Sequence, residues 1–161
     1  MRTAVLTIST SLAAGDGDDV SGARLAALAA QAGCDVTVRE VIPDDRAAIG
    51  ARLRALAHDG HAVVLTTGGT GLTVDDHTPE ATLDVIEREV RGIPEAMRAA
   101  GIPYNRKAML SRAVAGTLGG TLIVNFPGSP KAIDETFVVI EDVLAHAVAT
   151  LRRTDGARSG H

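Results

Sequence analysis

The hydrophobic and polar positions of this chain fall into two periods that alternate from one end to the other. Residues 4–9, with Ala4, Val5, Leu6 and Ile8, read as a buried strand. Residues 10–19 form a polar loop in which Gly15, Asp16, Gly17, Asp18 and Asp19 oppose regular structure. Leu25 and Leu28, set among alanines, give the next segment a helical stripe that Gly33 is placed to end. Val36, Val38 and Val41 predict a second strand. Asp44 is the candidate cap of a helix carrying Ile49, Leu53 and Leu56 at i, i+4 and i+7, and Gly60 stops it. Residues 62–66 read as a third strand. Thr78-Pro79-Glu80 is a helix start, with Thr78 as N-cap, proline at the first position and Leu83, Ile86 and Val90 as the buried stripe. A short helix over 94–100 precedes two strands, 113–117 and 121–125, which flank Gly119-Gly120 as a hairpin. Ser129-Pro130 repeats the capping device and opens a last helix with Ile133, Phe137, Ile140, Leu144, Val148 and Leu151 on one face. A disordered tail is expected over residues 154–161.

Strands alternating with helices predict βαβ units, so the expected fold is α/β: a three-layer α/β/α arrangement about a mainly parallel sheet, in one domain over residues 1–153. Composition narrows this further. At 161 residues one core suffices, and 45% hydrophobic with 22% charged residues excludes disorder over most of the length. No apolar run is long enough for a membrane span. Tyr104, Phe126 and Phe137 are the only aromatic residues against 27 alanines, so small aliphatic side chains must build the core. A net charge of −4, without a Lys/Arg-rich face, argues against nucleic acid or an anionic membrane as partner and for a small molecule or a protein. Cys34 is alone and residues 1–8 carry no signal-peptide pattern, so a cytoplasmic location is expected.

In open α/β sheets ligands bind at the carboxyl ends of the strands. Two such ends lead into glycine-bearing loops, "TTGGTGLTVDDHTPEAT" from Thr66 and "NFPGSPKA" from Asn125. Gly68, Gly69 and Gly71 allow close backbone approach, and free N–H groups at a helix start favour an anion, so a phosphate site is the inference. Neither the P-loop lysine pattern nor GxGxxG is present, and a GGTG tetrapeptide alone is also consistent with a plain turn. Asp75 and Asp76 lie in the first loop, and Asp44 and Asp45 follow the second strand. Aspartates beside a phosphate repel it unless a hard cation bridges them, which points to Mg²⁺. The plainer alternatives are that Asp44 only caps its helix and that Asp75 and His77 are solvated. His58 and His61 lack zinc-ligand spacing, and Ser9, Ser11 and Ser111 lack a histidine partner for a triad.

Four segments together, "TTGGTGLTVDDHTPEAT", "IPEAMR" from Ile93, "MLSRAVAG" from Met109 and "TLIVNFPGSPKAI" from Thr121, resemble the MogA/MoaB family of molybdenum-cofactor biosynthesis proteins. The resemblance runs in order over nearly the whole chain. It implies a three-layer α/β fold, a homotrimer, contact with a molybdate-insertion protein, and Mg²⁺-dependent adenylylation of molybdopterin by ATP with release of pyrophosphate. Carried over by position, it implies that Asp44 and Asp76 are the catalytic and metal-holding carboxylates. Thr67, Gly68, Gly69, Thr70, Gly71, Ser111, Asn125, Pro127, Gly128, Ser129 and Pro130 are then the pterin- and nucleotide-binding positions. The attacking phosphate is already an anion near neutral pH, so such a site needs alignment and charge neutralisation, not a general base.

The chain departs from that family at three places. Asp75 stands where the family has Arg, Thr10 follows Ser9 where it has Asp, and Val20 follows Asp19 where it has Lys. The lost cations keep a second reading in view, a non-catalytic molybdopterin-binding or scaffold protein. A third, a related domain attached to nucleotide-salvage amidases, lacks a partner domain here.

Overall fold

A computed structural model describes residues 1–158, and the α/β expectation holds. In chain order the elements are β1 (Arg2–Ile8), α1 (Thr10–Ala13), α2 (Val20–Gln31), β2 (Asp35–Ile42), α3 (Arg46–His58), β3 (Val63–Thr67) and α4 (Thr78–Leu83). There follow β4 (Arg88–Glu89), α5 (Gly92–Gly101), a 3-10 helix (Arg106–Leu110), β5 (Ala115–Leu118), β6 (Thr121–Phe126), α6 (Pro130–Phe137) and α7 (Glu141–Arg158). One sheet carries the order β2-β1-β3-β6-β5-β4. β2, β1, β3 and β6 pair in parallel, and β5 and β4 continue the sheet antiparallel through the expected hairpin.

Alternate strand residues separate two apolar layers. Val5, Val63, Leu65, Leu122, Val124 and Phe126 face the side covered by α2, α5, α6 and α7. Ala4, Leu6, Ile8, Val64 and Ile123 face the side covered by α3 and α4. The aromatic content concentrates at one point, where Phe126 of β6 stacks on Phe137 of α6 with ring centroids 5.8 Å apart.

Several local expectations are corrected. The loop after β1 opens with the short helix α1, because Ser9 Oγ accepts from Leu12 N at 3.3 Å and so caps it. The cap of α3 is Asp45, which accepts from Ala48 N at 2.8 Å, and not Asp44. Thr78 does not cap α4; its Oγ1 donates instead to Gly68 O at 2.9 Å. α4 ends at Leu83, which is exposed, and the chain then extends so that Arg88 and Glu89 pair with Thr117 and Gly116. That short strand occupies the edge donors and acceptors of β5, which a longer helix would have left unpaired. The last helix is two: α6 stops before the β-branched pair Val138-Val139, and α7 restarts with Glu141 and Asp142 in its first turn. Ile133, Phe137, Ile140, Leu144 and Val148 are nevertheless all buried, as the stripe requires. α7 continues past residue 154, where the tail was expected, to Arg158; residues 159–161 of that tail lie outside the described residues. No helix among the described residues is long and apolar enough to cross a membrane.

Candidate functional site

The parallel strands β1, β2, β3 and β6 end at one edge, and the two glycine loops meet there. Thr67 and Phe126 are register partners, Gly68 N donates to Phe126 O at 3.2 Å, and Thr67 Oγ1 donates to Pro127 O at 2.8 Å. A Cβ on Gly128 would lie 3.4 Å from Gly68 Cα, so the loops are in contact. Gly68 and Gly69 have φ of +97° and +63°, values a side chain resists. A Cβ on Gly69 would also sit 2.4 Å from both Asp44 Oδ2 and Thr78 Oγ1. Among the described residues the amides of Gly69, Thr70 and Gly71 donate to no acceptor, which leaves three N–H dipoles on the loop for an anion.

Asp44, relieved of capping by Asp45, reaches across to this loop. Its Oδ1 accepts from His77 N at 2.9 Å, its backbone N donates to Thr10 Oγ1 at 3.2 Å, and its side chain is 10% exposed. Burial pushes its pKa above the ordinary carboxylate value, the charge of Asp76 pushes the same way, and the His77 contacts oppose them. The plain capping reading of Asp44 therefore fails. Asp76 Oδ2 accepts from Thr73 N at 3.0 Å and Thr73 Oγ1 at 2.6 Å, and it faces Gly71, whose Cβ would lie 2.9 Å away. His77 Nδ1 meets the carbonyl oxygen of Asp75 at 2.9 Å, while the Asp75 side chain is exposed.

Beside the loop lies a cavity of about 380 Å³, walled by α5, the 3-10 helix and α6. Thr70, Gly71, Ser111 and Pro127 line it, so the structure brings together four of the positions carried over from the family resemblance. Ser129 caps α6 by accepting from Ala132 N at 3.5 Å, and Pro130 follows at its first turn.

Asn125, expected among the binding positions, serves the core. Its side chain is fully buried, donates to Thr66 Oγ1 and Thr82 Oγ1 at 3.0 Å each, and accepts from Val114 N at 3.1 Å. It ties β6 to β3, α4 and the segment before β5, and it touches no open surface. Thr67 is likewise buried, spent on the Pro127 carbonyl oxygen.

Sequence reasoning missed Arg112. Its Nε donates to Gly71 O at 2.7 Å, one terminal nitrogen donates to Asp76 O at 2.9 Å, and the other pairs with Glu80. Its backbone N adds a bond to Thr70 O at 2.9 Å, so one residue fastens both ends of the segment that carries Asp76. The available signal was an arginine at the threshold of an apolar strand, a position that demands partners.

Residues 4–146 match the family model for a probable molybdopterin binding domain. The chain belongs to that family, the MogA/MoaB type of molybdenum-cofactor biosynthesis proteins. Three relatives locate it within the family. The molybdopterin adenylyltransferase of Haemophilus influenzae is 44% identical over 103 residues, 63% of this chain and 52% of that protein. The molybdenum cofactor biosynthesis bifunctional protein of Chlorobaculum tepidum is 35% identical over 151 residues, 94% of this chain. The chain spans 48% of that protein, about half the length of the curated relatives it matches first. The crystal structure of the molybdopterin biosynthesis enzyme MoaB from Thermus thermophilus superposes with a TM-score of 0.87 at 39% identity, covering 93% of this chain and 95% of that one.

Proposed function

We propose that this MogA/MoaB-type chain is a molybdopterin adenylyltransferase. A terminal phosphate oxygen of molybdopterin attacks the α-phosphorus of ATP, the bond to the β-phosphate oxygen breaks, and pyrophosphate leaves. The observation that carries this reading is the placement of Asp44: a second aspartate takes over helix capping, and Asp44 is buried against a glycine loop whose amides are free.

A magnesium ion fits the donor set. The carboxylates of Asp44 and Asp76 are hard oxygen donors close enough for the charge of Asp76 to act on Asp44, and Asp44 Oδ2 faces the space that a Cβ on Gly69 would fill. No group of three His, Cys, Asp or Glu side chains among the described residues could hold a metal by itself, and two carboxylates completed by water and substrate phosphate oxygens would suit Mg²⁺. Asp44 and Asp76 would hold the ion, which when bound supplies neutralisation of charge on the phosphates. The chain's own part is alignment: the Gly69, Thr70 and Gly71 amides bind phosphate oxygens, His77 N and Thr73 orient the two carboxylates, and Arg112 fixes the loop. No side chain needs to accept a proton from the nucleophile.

The reading extends to a homotrimer in the cytoplasm that passes its product to a molybdate-insertion protein. Purified protein with molybdopterin, Mg²⁺ and ATP should release pyrophosphate and form adenylyl-molybdopterin, and no product at saturating substrates refutes the transferase. Light scattering at micromolar concentration should give three times the 16.6 kDa chain mass. A specific observation also favours a non-catalytic molybdopterin-binding protein: Asp76 spends one oxygen on two bonds within its own turn. Tight pterin binding without pyrophosphate release would select it.

A further inference from the structure

Glu135 lies on α6, one turn after Lys131, and its side chain is 11% exposed. Its Oε1 is buried and accepts no hydrogen bond from the described residues. Lys131 Nζ is 4.0 Å away, on a side chain that is 81% exposed, too far for a hydrogen bond. A carboxylate oxygen withdrawn from water without a donor is unfavourable and calls for one. Glu135 lines the same cavity of about 380 Å³ as Thr70 and Gly71. The walls between are apolar, with Pro94, Met97, Leu110 and Ala113 among them, and suit a flat ring. Of the polar groups beside it, one Arg98 terminal nitrogen donates to Ser111 O and Ala113 O at 3.2 and 3.4 Å and Thr136 Oγ1 donates to Ala132 O at 2.6 Å, while Asn105, Lys107 and Ser111 also line the cavity and none of them is hydrogen-bonded to Glu135.

We propose that Glu135 is a specificity-determining residue that reads the amino-amide edge of a pterin ring, which seats the ring between α5 and α6 with its phosphate-bearing arm toward Gly71. This rests on the molybdopterin reading above. A pterin presents an exocyclic NH₂ beside a ring N–H, two parallel donors matched to a carboxylate. Adenine presents an amino group beside a ring nitrogen lone pair, which opposes the carboxylate. The cavity therefore discriminates between the two substrates and takes the pterin, not the nucleotide base. Guanine carries the same edge as a pterin, so guanosine is the competing source of this chemistry.

The test is calorimetric titration of the full chain with 6-hydroxymethylpterin, its 2-oxo analogue 6-hydroxymethyl-lumazine, guanosine and ATP. The wild-type protein should prefer the pterin over the lumazine by about 30-fold or more, because the analogue places an oxygen against the carboxylate and leaves it unpaired. Glu135→Gln should cut that preference to about threefold while ATP affinity stays within about twofold. The wild-type ratio needs no variant, so misfolding cannot shelter the proposal. A wild-type ratio near one, a ratio unchanged in Glu135→Gln, or guanosine binding tighter than the pterin overturns it. Pyrophosphate formation without the preference removes only this inference. The preference without pyrophosphate formation removes only the transferase reading.

Discussion

Arg112 offers the sharpest test of how the site is held. Arg112→Met keeps the apolar stem and removes three side-chain links, to Gly71 O, Asp76 O and Glu80, while the backbone bond to Thr70 O stays. Hydrogen bonds to a charged group contribute about 1.5–3 kcal/mol each, so a naive sum reaches about 5–9 kcal/mol. Arg112 and Glu80 are 35% and 36% exposed, so water replaces part of what is lost and the ion pair itself contributes about 1 kcal/mol or less. The expected local cost is about 2–4 kcal/mol, felt as opening of the segment between Gly71 and Asp76. Hydrogen exchange should then speed up about 30-fold or more at the Thr73 and Asp76 amides, both bonded within that segment, while amides of β1, β3 and β6 follow only the global loss. A global loss of about 2 kcal/mol lowers Tm by about 4–8 °C at this chain length. Arg112→Lys should recover less than half of the protection, because one ammonium cannot span three acceptors that a planar guanidinium reaches at once. Unchanged exchange at Thr73 and Asp76 in the Met variant, or full recovery with Lys, refutes the clasp.

Four further outcomes follow from the geometry. Asn125→Ala should lower stability by about 2–4 kcal/mol in denaturant titration, with pterin affinity in the residual folded protein within about twofold, since the amide serves the core. Gly69→Ala places a Cβ on Asp44 and Thr78 at a left-handed φ, so adenylylation should fall by about 100-fold while Tm drops by only a few degrees; collapse of the fold instead would make Gly69 structural. Asp44 has a native pKa raised from 3.8, so its charged form costs stability at every pH above the raised value and costs nothing below 3.8. Asp44→Asn should therefore melt higher than wild type at pH 7, with the gain fading as pH falls toward 3.8, and should lose adenylylation by at least about tenfold. Asp75→Arg, on an exposed side chain, should tighten ATP binding by less than about threefold and lose even that at high salt.

What the sequence made legible is what local period and strand ends determine. The valine and leucine runs at 4–9 and 62–66 are buried central strands, and the motif order placed both glycine loops at the carboxyl ends of the sheet. The errors share a different cause. Asp44 and Asp45 are chemically identical candidates for one cap, and the choice between them depends on where His77 N lies, 33 residues away. The helix expected from Thr78 stops at Leu83 because the edge of β5 needs partners, a condition no window around residue 83 contains. Asn125 belonged to the right motif and still points into the core: the strand period that turns Val124 and Phe126 to one face turns Asn125 to the other, toward Thr66 and Thr82.

That last case bears on how the site works. The family motif around residues 121–133 mixes residues that would meet a ligand with residues that hold the loops at a fixed spacing, and the sequence does not separate them. Thr67, Asn125, Thr78 and Arg112 each spend side-chain hydrogen bonds on backbone or core partners around the glycine turn. The groups this reading assigns to a ligand are the free amides of Gly69, Thr70 and Gly71, the carboxylates of Asp44 and Asp76, and the unpaired oxygen of Glu135, with Arg98, Asn105 and Lys107 also in the cavity wall. In the proposed pose the loop amides meet the phosphate and Glu135 meets the heterocycle. A ligand satisfying both must be anionic at one end and carry N–H donors at the other. The adenine of ATP lacks adjacent donors on its ring edge and a phosphorylated pterin has them, so the polarity of the site distinguishes its two proposed substrates.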